Sequence, residues 1–381
     1  MTAVSLPMPG LQGVRDGYGH ARMPRGAAES QPERVDRVAY GRFRNVYLYI
    51  TESCQLRCEH CYMGERLNRA LKMPLPQIVD TLTTWRRMGG SKLTILGGEP
   101  TLHPEYCGSI RAAKQIGYEH VITTTNAQSP ALRKFRQLEP TDFSYVQVSL
   151  DGGDATSHDA IRGTATFDKA LETTAELAQR GFDTRIICTV NQANQGNVLQ
   201  LLDIADELGV SLVKFHVFST IGTGHGNPSL AMTPPQWVTF CETLNRAAPH
   251  HLTRVWYQPT YARRDQMQRY QAEGYQGCIG RTLDRISIFP DGRCYVCSYL
   301  FDTDLYFARM DGDQITINHA ENEFDLFTQP LVRSSCGDCK ASSCAGGCPA
   351  EEIVMGSSSC AEYDDIVPVC RLWKSSAKPE E

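Results

Sequence analysis

Residues 46–64 read VYLYITESCQLRCEHCYMG, an aromatic and β-branched run followed by cysteines at 54, 58 and 61. The run predicts a buried strand, and the polar Thr51-Glu52-Ser53 after it predicts the strand's end. Cys54, Cys58 and Cys61 then sit on the loop leaving a strand's C-terminal end, where parallel α/β folds gather their chemistry. Gaps of three and two residues let one loop wrap three corners of a cubane iron–sulfur cluster, with the fourth iron left open. An open iron can bind the amine and carboxylate of a small molecule and pass it an electron. The competing assignment is zinc, with His60 or a distant residue as the fourth ligand.

Outward from this strand, β-branched runs recur at Lys92–Leu96, His120–Thr124, Tyr145–Leu150, Thr184–Val190 and Leu212–Phe218. Stretches of helical period lie between them, among them Leu75–Met88, Phe167–Arg180 and Asn197–Leu208. Six strands alternating with helices predict an α/β fold of right-handed βαβ units on a parallel sheet. The pattern fits a partial barrel or a doubly wound sheet equally. We divide the chain into a flexible arm (1–42), the βα repeat (43–250), a bridging helical segment (251–277), a cysteine-rich domain (278–373) and a polar tail (374–381). The Gly/Ser/Pro-rich 219–233 predicts a loop before a last helix near Pro234, and Trp256–Tyr275 gives the bridge its helical character.

The chain has 381 residues, a net charge of −5 and 41% apolar residues, values expected of a globular protein with a sizeable core. Neither a basic patch nor a long apolar run is present, so no nucleic-acid or membrane partner is expected, and the location read is cytoplasmic. Fifteen cysteines are an odd total, and nine fall between Cys278 and Cys370. Clustering at short spacings reads as metal or cluster ligation in a reducing compartment, not as a disulfide framework.

The second strand ends in Gly97-Gly98-Glu99-Pro100. Paired glycines there let a ligand approach the backbone, and the Glu99 carboxylate can accept from an ammonium group. CxxxCxHC followed by Tyr62, with this GGEP one βα unit later, resembles the radical S-adenosylmethionine (SAM) superfamily. The resemblance covers roughly residues 46–220 and extends through Thr125-Asn126, Ser149-Leu150-Asp151-Gly152, Ile161-Arg162-Gly163 and Thr189-Val190-Asn191. Ala127 stands where the family often has glycine. The resemblance implies a partial (β/α)6 TIM-like barrel followed by a small cysteine-rich C-terminal domain. It also implies a SAM-cleaving 4Fe-4S cluster on Cys54, Cys58 and Cys61. Ser149 and Arg162 would hold the SAM carboxylate, and Asn126 and Asn191 would approach its ribose or methionine part. Taken singly, Arg162 also suits a surface ion pair, and an Asn at a strand end also suits a turn.

Toward the C-terminus the order is Cys278-x13-Gly292-x4-Cys297, then Cys336-x2-Cys339-x4-Cys344-x3-Cys348, then Cys370. This is similar to the SPASM extension of radical SAM enzymes, with four residues where five are usual between Cys339 and Cys344. The resemblance implies two auxiliary iron–sulfur clusters. Cys278, Cys297 and Cys348 would hold one, with Cys294 as a candidate fourth ligand; Cys336, Cys339, Cys344 and Cys370 would hold the other. A zinc ribbon on Cys294/Cys297 and Cys336/Cys339 is the alternative. Cys360 is left over.

The family resemblance implies reductive cleavage of SAM to a 5′-deoxyadenosyl radical that takes hydrogen from a substrate, with electrons from a reductase or flavodoxin-type donor. The leading expectation is modification of a ribosomally made precursor peptide by C–H oxidation or crosslinking. Oxidation or epimerisation of a small molecule is the enzyme alternative, and a non-catalytic iron–sulfur protein is the alternative of another class. An epimerase needs a thiol hydrogen donor, for which Cys188, Cys241 and Cys360 are candidates. Sulfatase-maturing members carry an acidic residue after the cysteine aligned with Cys297, where this chain has Ser298. About forty residues precede the first strand, fewer than a leader-binding domain of the family would need.

Overall fold

A computed structural model describes residues 43–266, 283–301, 303–318 and 365–368. In β1 (Asn45–Thr51), Val46, Leu48 and Ile50 are fully buried while Tyr47 and Tyr49 point to the other side, the alternation a pleated strand imposes. The βα alternation follows as expected: α1 (Leu75–Arg87), β2 (Lys92–Gly97), α2 (Tyr106–Ile116), β3 (His120–Thr125), α3 (Ala131–Phe135) and β4 (Tyr145–Ser149). Next come α4 (Ala155–Arg162), α5 (Phe167–Gln179), β5 (Thr184–Val190), α6 (Leu201–Leu208), β6 (Leu212–Val217) and α7 (Pro234–Ala247). Local chemistry sets the ends. The Asp154 side chain accepts from Ser157 N at the start of α4, and Thr233 with Gln236 forms a capping box on α7.

Two expectations need correcting. Of the bridging segment 251–277 only 251–266 is described, and it is mainly extended: β7 (Arg254–Tyr257) pairs parallel with β6, β8 (Tyr261–Arg263) follows, and a single 3-10 turn closes it at Arg264–Gln266. Nor does the sheet stop at the cysteine-rich region. β9 (Arg285–Ile288) pairs parallel with β1, and β10 (Arg293–Tyr295), β11 (Ala308–Asp311) and β12 (Gln314–Ile317) continue antiparallel beyond it. The order is β12-β11-β10-β9-β1-β2-β3-β4-β5-β6-β7; β13 (Ile366–Pro368) pairs with β8 in a separate ladder.

Eight strands, β9 and β1–β7, thus form one parallel array with helices outside, the architecture of a partial TIM barrel. On a flat sheet β6 and β9 would lie roughly 29 Å apart, six strand spacings. Yet Arg285 on β9 and Lys92 on β2 both bear electrostatically on Lys214 of β6, which requires the sheet to curl. The helix-facing side is apolar: Phe215 of β6 meets Phe240 of α7 at 5.6 Å, and Trp85 of α1 meets Phe43 at 5.5 Å. The lumen face is mixed, with Gln147, Ser149, Arg185 and Lys214 beside Ile122, Ile187 and Leu212. Among the described residues, no helix is long and apolar enough to cross a membrane.

Candidate active site at the cysteine loop

The loop carrying Cys54, Cys58 and Cys61 is clamped from three sides. On the β2 side, Gly98 N donates to Thr51 O (2.9 Å) and Glu99 N to Ser53 O (2.8 Å). On the α4 side, Glu59 N donates to Ile161 O at 2.9 Å. From the loop after β6, Thr223 N donates to Cys61 O at 2.9 Å, and Gly222, at φ +65°, leaves no room for a Cβ against Cys61 O and Tyr62 O.

The glycines of the GGEP motif serve this clamp. A Cβ on Gly97 would come within 2.6 Å of Thr51 O, and one on Gly98 within 2.5 Å of Ser53 O. The close approach expected for a ligand is thus made by the cysteine loop itself. Gly98→Ala is expected to push that loop away, lowering iron bound per chain and costing about 1–3 kcal/mol. Gly196→Ala, whose Cβ meets nothing within 4 Å, is the control; equal iron content and denaturation midpoints for the two variants would refute the clamp.

Glu99 is also turned inward. Its Oε1 accepts from Thr101 N (3.1 Å), Thr101 Oγ1 (2.6 Å) and Thr125 Oγ1 (2.8 Å), and its Oε2 from Asn126 N (2.7 Å). Burial pushes its pKa up, against these hydrogen bonds. Glu99 therefore ties the β2 and β3 loops together. The residue it positions, Asn126, donates from Nδ2 to Cys54 Sγ at 3.6 Å, the kind of hydrogen bond to sulfur that tunes a cluster's potential. Asn191 is fully buried, its Oδ1 accepting from Ala193 N and Asn194 N, so the side chain shapes the β5 loop and is not presented to a ligand. Ser149 stands at the end of β4, on the lumen face beside Ile187.

The residue missed from sequence is Asp151. It is fully buried; Oδ2 accepts from His60 Nε2 (2.6 Å) and Arg162 Nε (2.5 Å), and Oδ1 from Thr189 N (2.7 Å). Burial pushes its carboxyl up, but Arg162, His60 and the Thr189 N–H outweigh that and hold it well below the usual carboxylate range. Asp151 thereby commits His60 away from metal and aims Arg162, whose charge bears on Cys58. The only signal in sequence was an Asp beside a strand-end glycine, eleven residues before Arg162.

Asp151 N also donates to His158 Nδ1 at 3.1 Å, which makes His158 neutral. Burial, then the Arg162 charge, lowers its pKa to about 4. That lies below the ~6.5 of an unfolded chain, so proton uptake favours unfolding. Full stability is expected above about pH 6.5, with of order 3 kcal/mol lost as pH falls toward 4. Denaturation curves for His158→Gln should show a shallower pH slope; an identical slope would contradict this.

The donor set fits an iron–sulfur cluster. Burial raises all three thiols, Cys54 to about 12 and Cys58 to about 11, so iron must displace their protons. His60, the nearby candidate for a fourth zinc ligand, is engaged by Asp151 at 2.6 Å and turned from the thiols. Arg162 Nη atoms make no hydrogen bond among the described residues and suit a carboxylate.

The other expected residues are less favourably placed or lie elsewhere. Cys188 is fully buried on the helix-facing side of β5, and Cys241 is on the packed face of α7, so neither faces the lumen as a hydrogen donor would. Cys294 is buried in β10 opposite Ile288 and Ala308, and Cys297 precedes the turn Ser298–Leu300. Cys278, Cys336, Cys339, Cys344, Cys348, Cys360 and Cys370 lie outside the described residues.

With strand-end cysteines, the clamp and a buried Arg–Asp pair on one parallel barrel, comparison with known proteins agrees. Residues 48–212 match the family model of the Radical SAM superfamily, and this part of the chain is a radical SAM domain. The chain is similar to the mycofactocin maturase MftC of Mycobacterium tuberculosis, 26% identical over 324 residues, spanning 81% of this chain and 78% of the relative. It is also similar to the AdoMet-dependent heme synthase of Methanosarcina barkeri, 24% identical over 340 residues, spanning 84% and 94%. In fold it matches Streptococcus suis SuiB bound to S-adenosylmethionine, with TM-score 0.65 and 15% identity, covering 87% of this chain and 76% of SuiB.

Proposed function

We propose that this chain is a radical SAM peptide maturase, modifying a ribosomally made precursor peptide by C–H oxidation or crosslinking. One observation carries this reading: the clamped Cys54–Cys61 loop faces the Asp151-held Arg162 inside a radical SAM domain. Likeness to a mycofactocin maturase over most of both chains supports a peptide substrate, as does the fold shared with SuiB, also solved with its precursor peptide SuiA. When bound, the cluster and SAM supply one-electron cleavage of a sulfonium C–S bond and hydrogen abstraction.

Cys54, Cys58 and Cys61 hold the cluster, Arg162 and Ser149 receive the SAM carboxylate, and Asn126 tunes the Cys54 sulfur. The lumen excludes water from the reacting carbon. The cysteines between residues 278 and 373 hold two auxiliary clusters. Cys278, Cys297 and Cys348, with Cys294, serve one cluster, and Cys336, Cys339, Cys344 and Cys370 the other. A flavodoxin-type protein or reductase delivers the electron.

The test is anaerobic reconstitution, chemical reduction and incubation with SAM and candidate peptides. Deoxyadenosine formed together with a peptide mass change is expected. Absence of deoxyadenosine would sink the enzyme reading, and deoxyadenosine without any peptide mass change would sink the peptide reading alone.

A further inference from the structure

Strand register puts Arg185 (opposite Gln147 and Leu212) and Lys214 (opposite Ile187 and Trp256) on the lumen face of β5 and β6. Lys92 and Arg285 join them from β2 and β9, so four cations share the inside of one barrel. Aromatic rings support them: Arg185 lies 3.7 Å over Tyr145, and Lys214 Nζ 4.5 Å over Trp256. All four cations are half-buried, neither splayed into solvent nor packed away.

Counter-charge is incomplete. Asp183 pairs with Arg185 at 2.6 Å, and Asp284 bears on Lys92. Neither serves Lys214. Its ammonium has no hydrogen bond or ion pair among the described residues, and the charges that bear on it, Lys92, Arg285 and Arg185, are all positive. Burial and those neighbours lower its pKa to about 8, and the same surroundings keep His216, two residues along the same face, neutral. Concentrating like charge in a half-buried space costs stability unless something anionic enters. SAM does not meet that need: Lys92 and Arg285 are the first residues of β2 and β9, Arg185 the second of β5 and Lys214 the third of β6, whereas the Cys54–Cys61 loop leaves the opposite, C-terminal end of β1.

We propose that the N-terminal end of the barrel lumen, opposite the Cys54–Cys61 loop, binds a carboxylate of the substrate between Lys214, Lys92 and Arg185, anchoring the substrate at a distance from the carbon presented for hydrogen abstraction. This rests on the reading of the lumen as the substrate site of a radical SAM peptide maturase. The carboxylate is either an acidic side chain or the peptide's C-terminus, and one experiment separates them. Three acetylated peptides carrying an uncharged fluorophore are titrated into the reconstituted full chain at low salt: GFEFG-amide, GFQFG-amide, and GFQFG with a free C-terminus.

One or both carboxylate peptides should bind at least about tenfold more tightly than the neutral one, the smallest loss expected for a hydrogen bond to a charged group. The tighter one identifies the source. Lys214→Gln and, less strongly, Lys92→Gln should erase the preference, while Lys214→Arg keeps it. Equal binding of all three peptides, undetectable binding included, overturns the proposal, as does a preference unchanged in Lys214→Gln. Deoxyadenosine formation from SAM alone is measured beside it. If the wild type makes none, the radical SAM reading fails; if it does but the preference is absent, only this inference fails.

Discussion

Asp151→Asn is expected to destabilise the chain by about 3–5 kcal/mol and to remove SAM binding, although the substitution changes no side-chain size. The carboxylate accepts from three donors, His60 Nε2, Arg162 Nε and Thr189 N. An asparagine keeps one acceptor oxygen, which can still satisfy Thr189, and turns an NH2 toward two other N–H donors. Arg162, only 10% exposed, would then be a buried cation without its partner. It would leave the position from which it bears on Cys58, and His60 would lose the contact that orients the loop. Denaturant titration and calorimetry with SAM on the reconstituted protein measure the two effects. Wild-type SAM affinity in this variant would mean that Arg162 does not depend on Asp151 for its aim.

That this pair went unread shows where sequence reasoning stops. Strand β2 was expected at Lys92–Leu96 and runs Lys92–Gly97; α7 was expected near Pro234 and starts there. Such elements declare themselves because alternation, helical period and caps are local. Strand β7 does not: RVWY is four residues long, too short to show a period, and it is held by pairing with β6. The β9–β1 pairing is less visible still, joining segments as far apart as Arg44 and Asp284, 240 residues. The site divides in the same way. Three cysteines and GGEP are short-range signals. That Gly98 yields to Ser53 O, or that Glu99 spends its oxygens on Thr101, Thr125 and Asn126, depends on how neighbouring strand ends meet. Asn191 and Asp151 both look like turn residues in sequence; the fold makes one a turn residue and the other the anchor of Arg162.

Replacing Cys54, Cys58 and Cys61 together with alanine is expected to abolish deoxyadenosine formation while leaving the barrel folded. The loop's backbone is held by bonds that no metal supplies, from Gly98 N to Thr51 O, Glu59 N to Ile161 O and Thr223 N to Cys61 O. Alanine keeps every one of them, and deleting three partly or fully buried thiols removes little apolar surface. The chain should therefore retain its SAM-independent thermal transition within a few degrees, unlike Asp151→Asn. Metal content then discriminates between one cluster and three. If the C-terminal cysteines hold two auxiliary clusters, the variant should lose about four irons and four sulfides per chain and keep about eight of each. A fall to zero would confine iron to the 54–61 loop, and zinc recovered in its place would assign Cys294, Cys297, Cys336 and Cys339 to a ribbon. Retained deoxyadenosine formation would overturn the assignment of the loop itself.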